Sequence, residues 1–393
     1  MDYSKVILHA GKERSVYNRH LWLFSGAIKK IEGAVKEGSI VEVFSSDNTY
    51  LATGHFHDGS IKVRIFSFEQ REINADFWKG KIQSAFEFRK RLGFINNQNT
   101  NAYRLINAEG DELPGLVIDV YNDIVVIQSH TIGMHLIKKD LVQILQNLFP
   151  AGQSIFDKSA DTMGKDSGIE NGLLHGDKTE TVITENGIKF YVNVSEGQKT
   201  GFFLDQRDNR QLLGSYASGK KVLNTFAYSG GFSMYALKSN AELVHSVDSS
   251  KKAADWAAKN VSLNYDNSAP HEFFPTDVFQ FLKASDQKYD LIILDPPAFA
   301  KSRAPEAIKQ ATIGYRNLNH EALKRIAPGG ILFTFSCSQP IDKELFRKIV
   351  FTAAAQTRRN VCILHQLTQP ADHPINIYHP EGEYLTGLVL YVE

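Results

Sequence analysis

Residues 289–302 read Y-D-L-I-I-L-D-P-P-A-F-A-K-S, and residues 329–338 read G-G-I-L-F-T-F-S-C-S. The run Tyr289–Leu294 is short and apolar with little alternation, the pattern of a strand covered on both faces in a parallel sheet. Proline donates no hydrogen bond and restricts the residue before it. The strand therefore stops at Asp295-Pro296-Pro297 and leaves Asp295 at its carboxyl edge. Gly330–Phe335 repeats the pattern and stops at Ser336-Cys337-Ser338. Ligands of open α/β sheets sit beyond the carboxyl ends of the strands. If these two strands are neighbours, a carboxylate and a thiol face one crevice.

Working outward, strand and helix alternate regularly from Lys220. Strands are expected at Lys220–Phe226, Leu243–Asp248, Glu272–Thr276, Tyr289–Asp295, Gly330–Cys337, Cys362–Thr368 and Leu388–Val392, with helices at Phe232–Leu237 and Lys251–Leu263. Seven strands with interposed helices predict a doubly wound α/β domain, a Rossmann-like sheet. Upstream, Ile40–Phe44, Tyr50–Phe56 and Ile61–Phe66 are β-branched or aromatic runs between turn signals, which suggests a small β-barrel over residues 1 to about 70. Phe77–Leu92 reads as an amphipathic linker helix. Leu116–Val120 and Ile124–His130 form an expected hairpin, Leu136–Leu148 a helix, and Ile155–Asp157 and Ile188–Val194 two more strands. That is a strand-strand-helix-strand-strand α+β module. The polar, glycine-rich residues 158–181 read as an exposed loop.

The chain has 393 residues, more than one ordinary core needs, so two or three domains are expected. No apolar run is long enough to span a bilayer, and the N-terminus lacks an apolar signal core. Two cysteines, Cys337 and Cys362, argue for a reducing cytoplasm rather than a disulfide framework. Cys362, within V-C-I-L, reads as a core thiol. The 44 basic and 44 acidic residues balance, so composition alone points to no nucleic acid. The cluster Lys79, Lys81, Arg89, Lys90 and Arg91 reads as a solvated helix face. Lys12, Arg14, Arg19 and His20 interleave with Trp22 and Phe24, a composition suited to phosphate contact and base stacking. Spacing alone favours Trp22 and Phe24 as barrel core, with the cations only solubilising.

The first βα turn, L-N-T-F-A-Y-S-G-G-F-S, places Gly230 and Gly231 where backbone approaches a ligand closely. It is neither the dinucleotide fingerprint nor a phosphate loop. Asp248 ends the second strand, 18 residues after Gly230, where a carboxylate can take both ribose hydroxyls. Asp277 and Asp295 end the third and fourth. Three acids at successive strand ends after a glycine turn define a nucleoside pocket without a pyrophosphate cradle. S-adenosylmethionine fits, with Asp248 on the ribose, Asp277 on the adenine amino group and the glycine turn at the aminocarboxylate. No metal is expected.

The segments E-G-Q-K-T-G-F-F-L-D-Q-R-D-N-R (196–210), V-L-N-T-F-A-Y-S-G-G-F-S (222–233), L-D-P-P-A-F-A-K-S (294–302), F-S-C-S (335–338), A-D-H-P (371–374) and P-E-G-E-Y-L (380–385) carry a resemblance. So does L-I-N-A-E-G-D-E-L-P-G-L (105–116). Together they resemble the three-domain rRNA cytosine-C5 methyltransferases. The resemblance implies a PUA RNA-binding domain over 1–72, a linker helix and central α+β domain over 73–194, and a class I methyltransferase domain over 195–393. It also implies S-adenosylmethionine as cofactor and large-subunit ribosomal RNA as partner; the oligomeric state stays open, a homodimer included. Cofactor contacts are implied for Gln206, Phe226, Tyr228, Gly230, Asp248, Asp277 and Asp295, and RNA contacts for Lys12, Arg14, Arg19 and Trp22.

Carbon-5 of cytosine is a poor nucleophile until a thiolate adds to carbon-6, which is covalent catalysis. Cys337 is the expected nucleophile, and Asp295 the group that holds the base edge around nitrogen-3. Pro297 and Ala298 stand where another RNA cytosine-C5 type carries a second cysteine. Glu381, Glu383 or His373 is then left to remove the carbon-5 proton. Two other readings stay open: a methyltransferase acting on a guanine or adenine position, and an RNA-binding assembly factor with an inert domain.

Overall fold

The computed structural model describes residues 3–149, 152–164, 167–266, 269–284 and 286–393. It resolves into two compact units. One comprises the chain through residue 183 with 192–204 and 371–382; the other comprises 184–191, 205–370 and 383–393.

In the first unit, β1 (Ser4–Leu8), β2 (Trp22–Phe24), β3 (Ile28–Glu32), β4 (Ile40–Phe44), β5 (Tyr50–Phe56) and β6 (Ile61–Ser67) form a sheet ordered β2-β6-β5-β4-β1-β3. Its core is Val6, Leu8, Val16, Leu23, Val41, Val43, Val63 and Ile65. The helix Ala75–Arg91 starts at Asn74, whose side chain accepts from Phe77 N, and buries Phe77, Trp78 and Ile82. A second sheet, ordered β11-β10-β9-β8-β7, follows with β7 (Ala102–Asn107), β8 (Leu116–Tyr121), β9 (Ile124–Ser129), β10 (Ser154–Asp157) and β11 (Gly172–His175).

Four expectations need correcting here. The strand at 188–194 does not join the central sheet. It is β13 (Ile188–Asn193), paired with β12 (Glu180–Glu185) in a sheet of their own. The turn between them is Asn186-Gly187, both at positive φ, the pairing that tight hairpins favour. Its place in the central sheet is taken by β7 and β11. β11 lies within the stretch read as a loop, of which residues 165–166 lie outside the described residues.

The third correction concerns Arg89, which is not on a solvated face. It is fully buried: its guanidinium grips both carboxylate oxygens of Asp111 and donates to the carbonyls of Arg104 and Asp372 at 2.9 and 2.8 Å. Helix periodicity puts it beside Ile82 and Ala85, and the carboxylate that balances it lies 22 residues away in sequence. Lys79, Lys90 and Arg91 are exposed as expected.

In the second unit, β14 (Lys221–Thr225), β15 (Leu243–Val247), β16 (His271–Phe274), β17 (Tyr289–Leu294), β18 (Ile326–Ser336), β19 (Val361–Leu367) and β20 (Thr386–Val392) form one sheet ordered β16-β15-β14-β17-β18-β20-β19. β14 to β18 run parallel, and β20 lies antiparallel between β18 and β19. The expected doubly wound, Rossmann-like domain is present, and the two strands of the opening stretch are neighbours. Cys362 is exposed rather than core, because β19 is the sheet's edge.

Replacing one partner of a buried pair strands the other's charge. Arg89→Ala is therefore expected to destabilise the protein by about 3–5 kcal/mol. Urea unfolding checks this, and an unchanged midpoint would show that the Asp111 carboxylate needs no partner.

Candidate active site

The register of the central strands sets the geometry. Thr225 pairs with Leu294 and Leu294 with Thr334, so β14 and β17 end level with one another and β18 runs two residues further, to Ser336. Pro296 and Pro297 stop β17 just after Asp295, which is half-buried. Gln206 Nε2 donates to Asp295 Oδ1 at 3.0 Å, and Gln206 Oε1 accepts from Asn209 Nδ2 at 2.7 Å. Cys337 follows β18 and is partly exposed, and its Sγ–H donates to the Pro296 carbonyl at 3.6 Å. The thiol and the Asp295-Pro296 turn therefore meet.

The serines beside Cys337 have a structural task. Both are about 1 % exposed. Ser338 Oγ accepts from Ala300 N at 3.1 Å and lies 2.9 Å from the Tyr315 hydroxyl, while Ser338 N donates to Ser336 Oγ at 3.3 Å. Tyr315, on the helix Pro305–Arg325, thus ties the cysteine loop to the loop after β17. Burial raises its phenol above the ordinary range, the two serines pull it partly back, and nearby Cys337 adds to the rise. Nothing in the sequence marked Tyr315, which lies 22 residues from the cysteine on a long helix.

The turn after β14 is strained. Phe226, Tyr228 and Gly230 have φ of 54°, 47° and 79°. Bulky side chains rarely adopt such values, which cost about 1–3 kcal/mol each and collect at ligand sites. At Gly230 the conformation, not space, calls for glycine, since an added Cβ would meet Ala257 at an ordinary 3.4 Å. The turn is held from outside. Tyr228 N and Ser250 N donate to the two oxygens of Asp248 at 3.0 and 2.9 Å. Ala227 N donates to Val247 O at 3.1 Å and Asn260 Nδ2 to Ser229 O at 2.8 Å. Under β14, Asn224, Ser233, Ser246 and His271 form a chain of 2.7–2.8 Å contacts. Burial first, with His245 adding, pushes the His271 imidazole down to about 4.

The remaining site candidates are spread out. Asp277 is exposed and its Oδ1 accepts from Gln280 N at 2.9 Å, at the start of the helix Val278–Ala284. Glu383 pairs with Lys343 in the second unit. In the first unit, His373 is buried with Nδ1 3.0 Å from Asp372 Oδ1, and Glu381 faces His20 and His379. There too, Lys12, Arg14 and Arg19 are exposed, and the Arg19 guanidinium stands 4.5 Å over Phe68. Trp22 is half-buried and its Nε1 donates to Glu109 at 2.8 Å. Phe24 is 46 % exposed and so is not core; Leu23 between them is.

Residues 156–376 match the family of S-adenosylmethionine-dependent methyltransferases, and residues 6–68 match PUA-like domains. The chain is similar to the ribosomal RNA large subunit methyltransferase I of Aeromonas salmonicida, 41 % identical over 98 % of both chains. The chain belongs to the S-adenosylmethionine-dependent methyltransferases. A Streptococcus mutans structure described as such an enzyme superposes with a TM-score of 0.84 at 24 % identity, covering 99 % of this chain and 100 % of that one. A methyltransferase crystal structure complexed with SAH gives 0.86 at 24 % identity, with the same coverage. At that identity both likenesses speak for the fold. This methyltransferase has, among the described residues, no helix long and apolar enough to cross a membrane.

Ser338→Ala in this methyltransferase leaves the buried Ala300 N–H without its acceptor and removes one of the two serine hydroxyls at Tyr315. The expected loss is about 1–3 kcal/mol in urea unfolding. A neutral substitution would mean that the cysteine loop is held by something other than Ser338.

Proposed function

We propose that this methyltransferase forms 5-methylcytidine in large-subunit ribosomal RNA, with Cys337 as the covalent nucleophile. The observation that carries the reading is the contact of the Cys337 thiol with the Pro296 carbonyl, one residue from Asp295. The relative's name, a ribosomal RNA large subunit methyltransferase, supports the substrate class. The reading keeps the three-domain division at 72/73 and 194/195.

The residues would divide the work as follows. The strained turn and the Asp248 carboxylate would hold S-adenosylmethionine, with Asp277 at its adenine end. The bound cofactor supplies an electrophilic methyl group on a sulfonium. Cys337, once deprotonated, would add as the thiolate to carbon-6 of cytosine and so make carbon-5 nucleophilic toward the cofactor's methyl group, the sulfonium sulfur keeping the bonding pair and leaving as a neutral thioether. Asp295, oriented by Gln206, would face nitrogen-3, where charge develops on addition. Removal of the carbon-5 proton then expels the thiolate and restores the ring. Gln206 would orient Asp295 through Nε2 and still have a second amide hydrogen and a second oxygen lone pair for the cofactor.

Cys337→Ala is expected to abolish methyl transfer to ribosomal RNA while binding S-adenosylmethionine normally in calorimetry. Wild-type protein should form a denaturation-resistant adduct with RNA containing 5-fluorocytidine, which blocks the final elimination. Full activity in the variant would point instead to a guanine or adenine nitrogen, and no cofactor binding in the wild type to an inert scaffold.

Lys12, Arg14 and Arg19 would make phosphate contacts. Trp22, anchored to Glu109, would hold the end of the segment between β1 and β2 that carries them and offer a ring edge to a base. The double variant Lys12→Ala/Arg14→Ala is expected to bind RNA more weakly, with a salt dependence shallower by roughly two phosphate contacts. Cofactor affinity should not move; equal RNA affinity would remove these cations from the interface.

A further inference from the structure

We infer that His20, His379 and Glu381 form a binding site for one divalent transition-metal ion of the zinc type. All three lie in the first unit, and one side-chain donor atom from each falls within 4.8 Å of the others. His20 Nε2 is 3.3 Å and His379 Nδ1 3.5 Å from the same Glu381 oxygen, Oε2. Ligands about 2.0–2.1 Å from a tetrahedral zinc ion stand roughly 3.3 Å apart, so these two spacings need almost no adjustment. Two imidazoles and one carboxylate form a donor set that suits zinc and leaves one position for water.

A second observation is independent of the spacing. His379 is 1 % exposed, yet its Nδ1 makes no hydrogen bond. A buried polar atom left in that state calls for an explanation, and an absent ion is one. The alternative without an ion has His20 Nε2–H donating to Glu381 and Trp22 N–H donating to His20 Nδ1 at 3.2 Å. That arrangement satisfies His20 and leaves His379 unanswered. With an ion, His20 Nδ1–H donates to the Trp22 carbonyl at 3.1 Å, which fixes the tautomer and turns the Nε2 lone pair to the metal. His379 Nδ1 then gains its partner too.

The electrical surroundings are compatible. Burial holds the His379 imidazole below its ordinary value, which keeps the ring in the neutral, ligating form. Burial would raise Glu381, but its own backbone amide and the two histidines outweigh it and keep the carboxylate ionised. The nearby Arg64 cation is paired with Glu109 at 3.3 Å and rests 5.2 Å from the Trp22 ring. An ion here would join positions 361 residues apart in the chain, pinning the segment after β19 to the PUA-like sheet.

The test uses the untagged full-length protein, since a histidine tag would bind the metal itself. Protein loaded with zinc chloride and dialysed is expected to keep one zinc ion per chain by elemental analysis, and to unfold at a higher temperature than chelator-treated protein. Cobalt loading should give visible bands without the near-ultraviolet thiolate absorption that Cys337 or Cys362 would produce. His379→Ala and His20→Gln should each lose the stoichiometric ion and the zinc-dependent shift. If His379→Ala does not fold, His20→Gln decides. Retention of no metal by the wild type, unchanged retention in the soluble variants, or a thiolate band overturns the proposal.

Discussion

The parallel pairing of β17 with β18 decides where the proline stop and the cysteine can meet in this methyltransferase. Leu294 lies opposite Thr334, so the proline stop on one strand and the cysteine on the other project from the same level of the sheet. Side chains alternate along a strand, and a slip of one residue would exchange the thiol's side for that of a serine. Ser336 and Ser338 are already committed to the interior, which makes such a slip costly. The crevice is thus specified by hydrogen-bond register as much as by the residues that line it.

A second constraint sits one strand away. Two aromatic residues at positive φ are unfavourable in isolation, and the turn survives because its neighbours over-determine it. Asp248 supplies both carboxylate oxygens to backbone N–H groups, one of them at Tyr228 itself. A residue read from sequence as a ribose ligand therefore also shapes the loop. The two tasks are compatible, since each carboxylate oxygen has more than one lone pair to offer.

Much of this was legible in the chain. Short apolar runs ending at Asp-Pro-Pro and Ser-Cys-Ser placed two strand ends, and the glycine turn and Asp248, singled out separately, are in contact through Tyr228 N–H. Regular alternation after Lys220 foretold the seven-stranded sheet. What escaped was what depends on distant partners. Arg89 looks like one of five surface cations until Asp111 and Asp372 are seen around it. β7 carries Arg104 and Asn107, and its Arg104 is acceptable there because Asp119 takes its guanidinium at 2.8 and 3.0 Å. Cys362 sits in an apolar string, and only strand order reveals that the string borders solvent. Tyr315 has no local signature because its partner is a hydroxyl on another element.

Strand order also bears on how the protein is made. β20 is synthesised after β18 and β19, yet it occupies the place between them. Until residues 386–392 have emerged from the ribosome, β18 has one bare edge and β19 has no partner in the sheet at all. The strand that leads into the cysteine is thus among the last to be enclosed during translation. An unpaired hydrophobic edge is a template for the wrong neighbour. A nascent chain therefore carries this unpaired edge until residues 386–392 are made and paired.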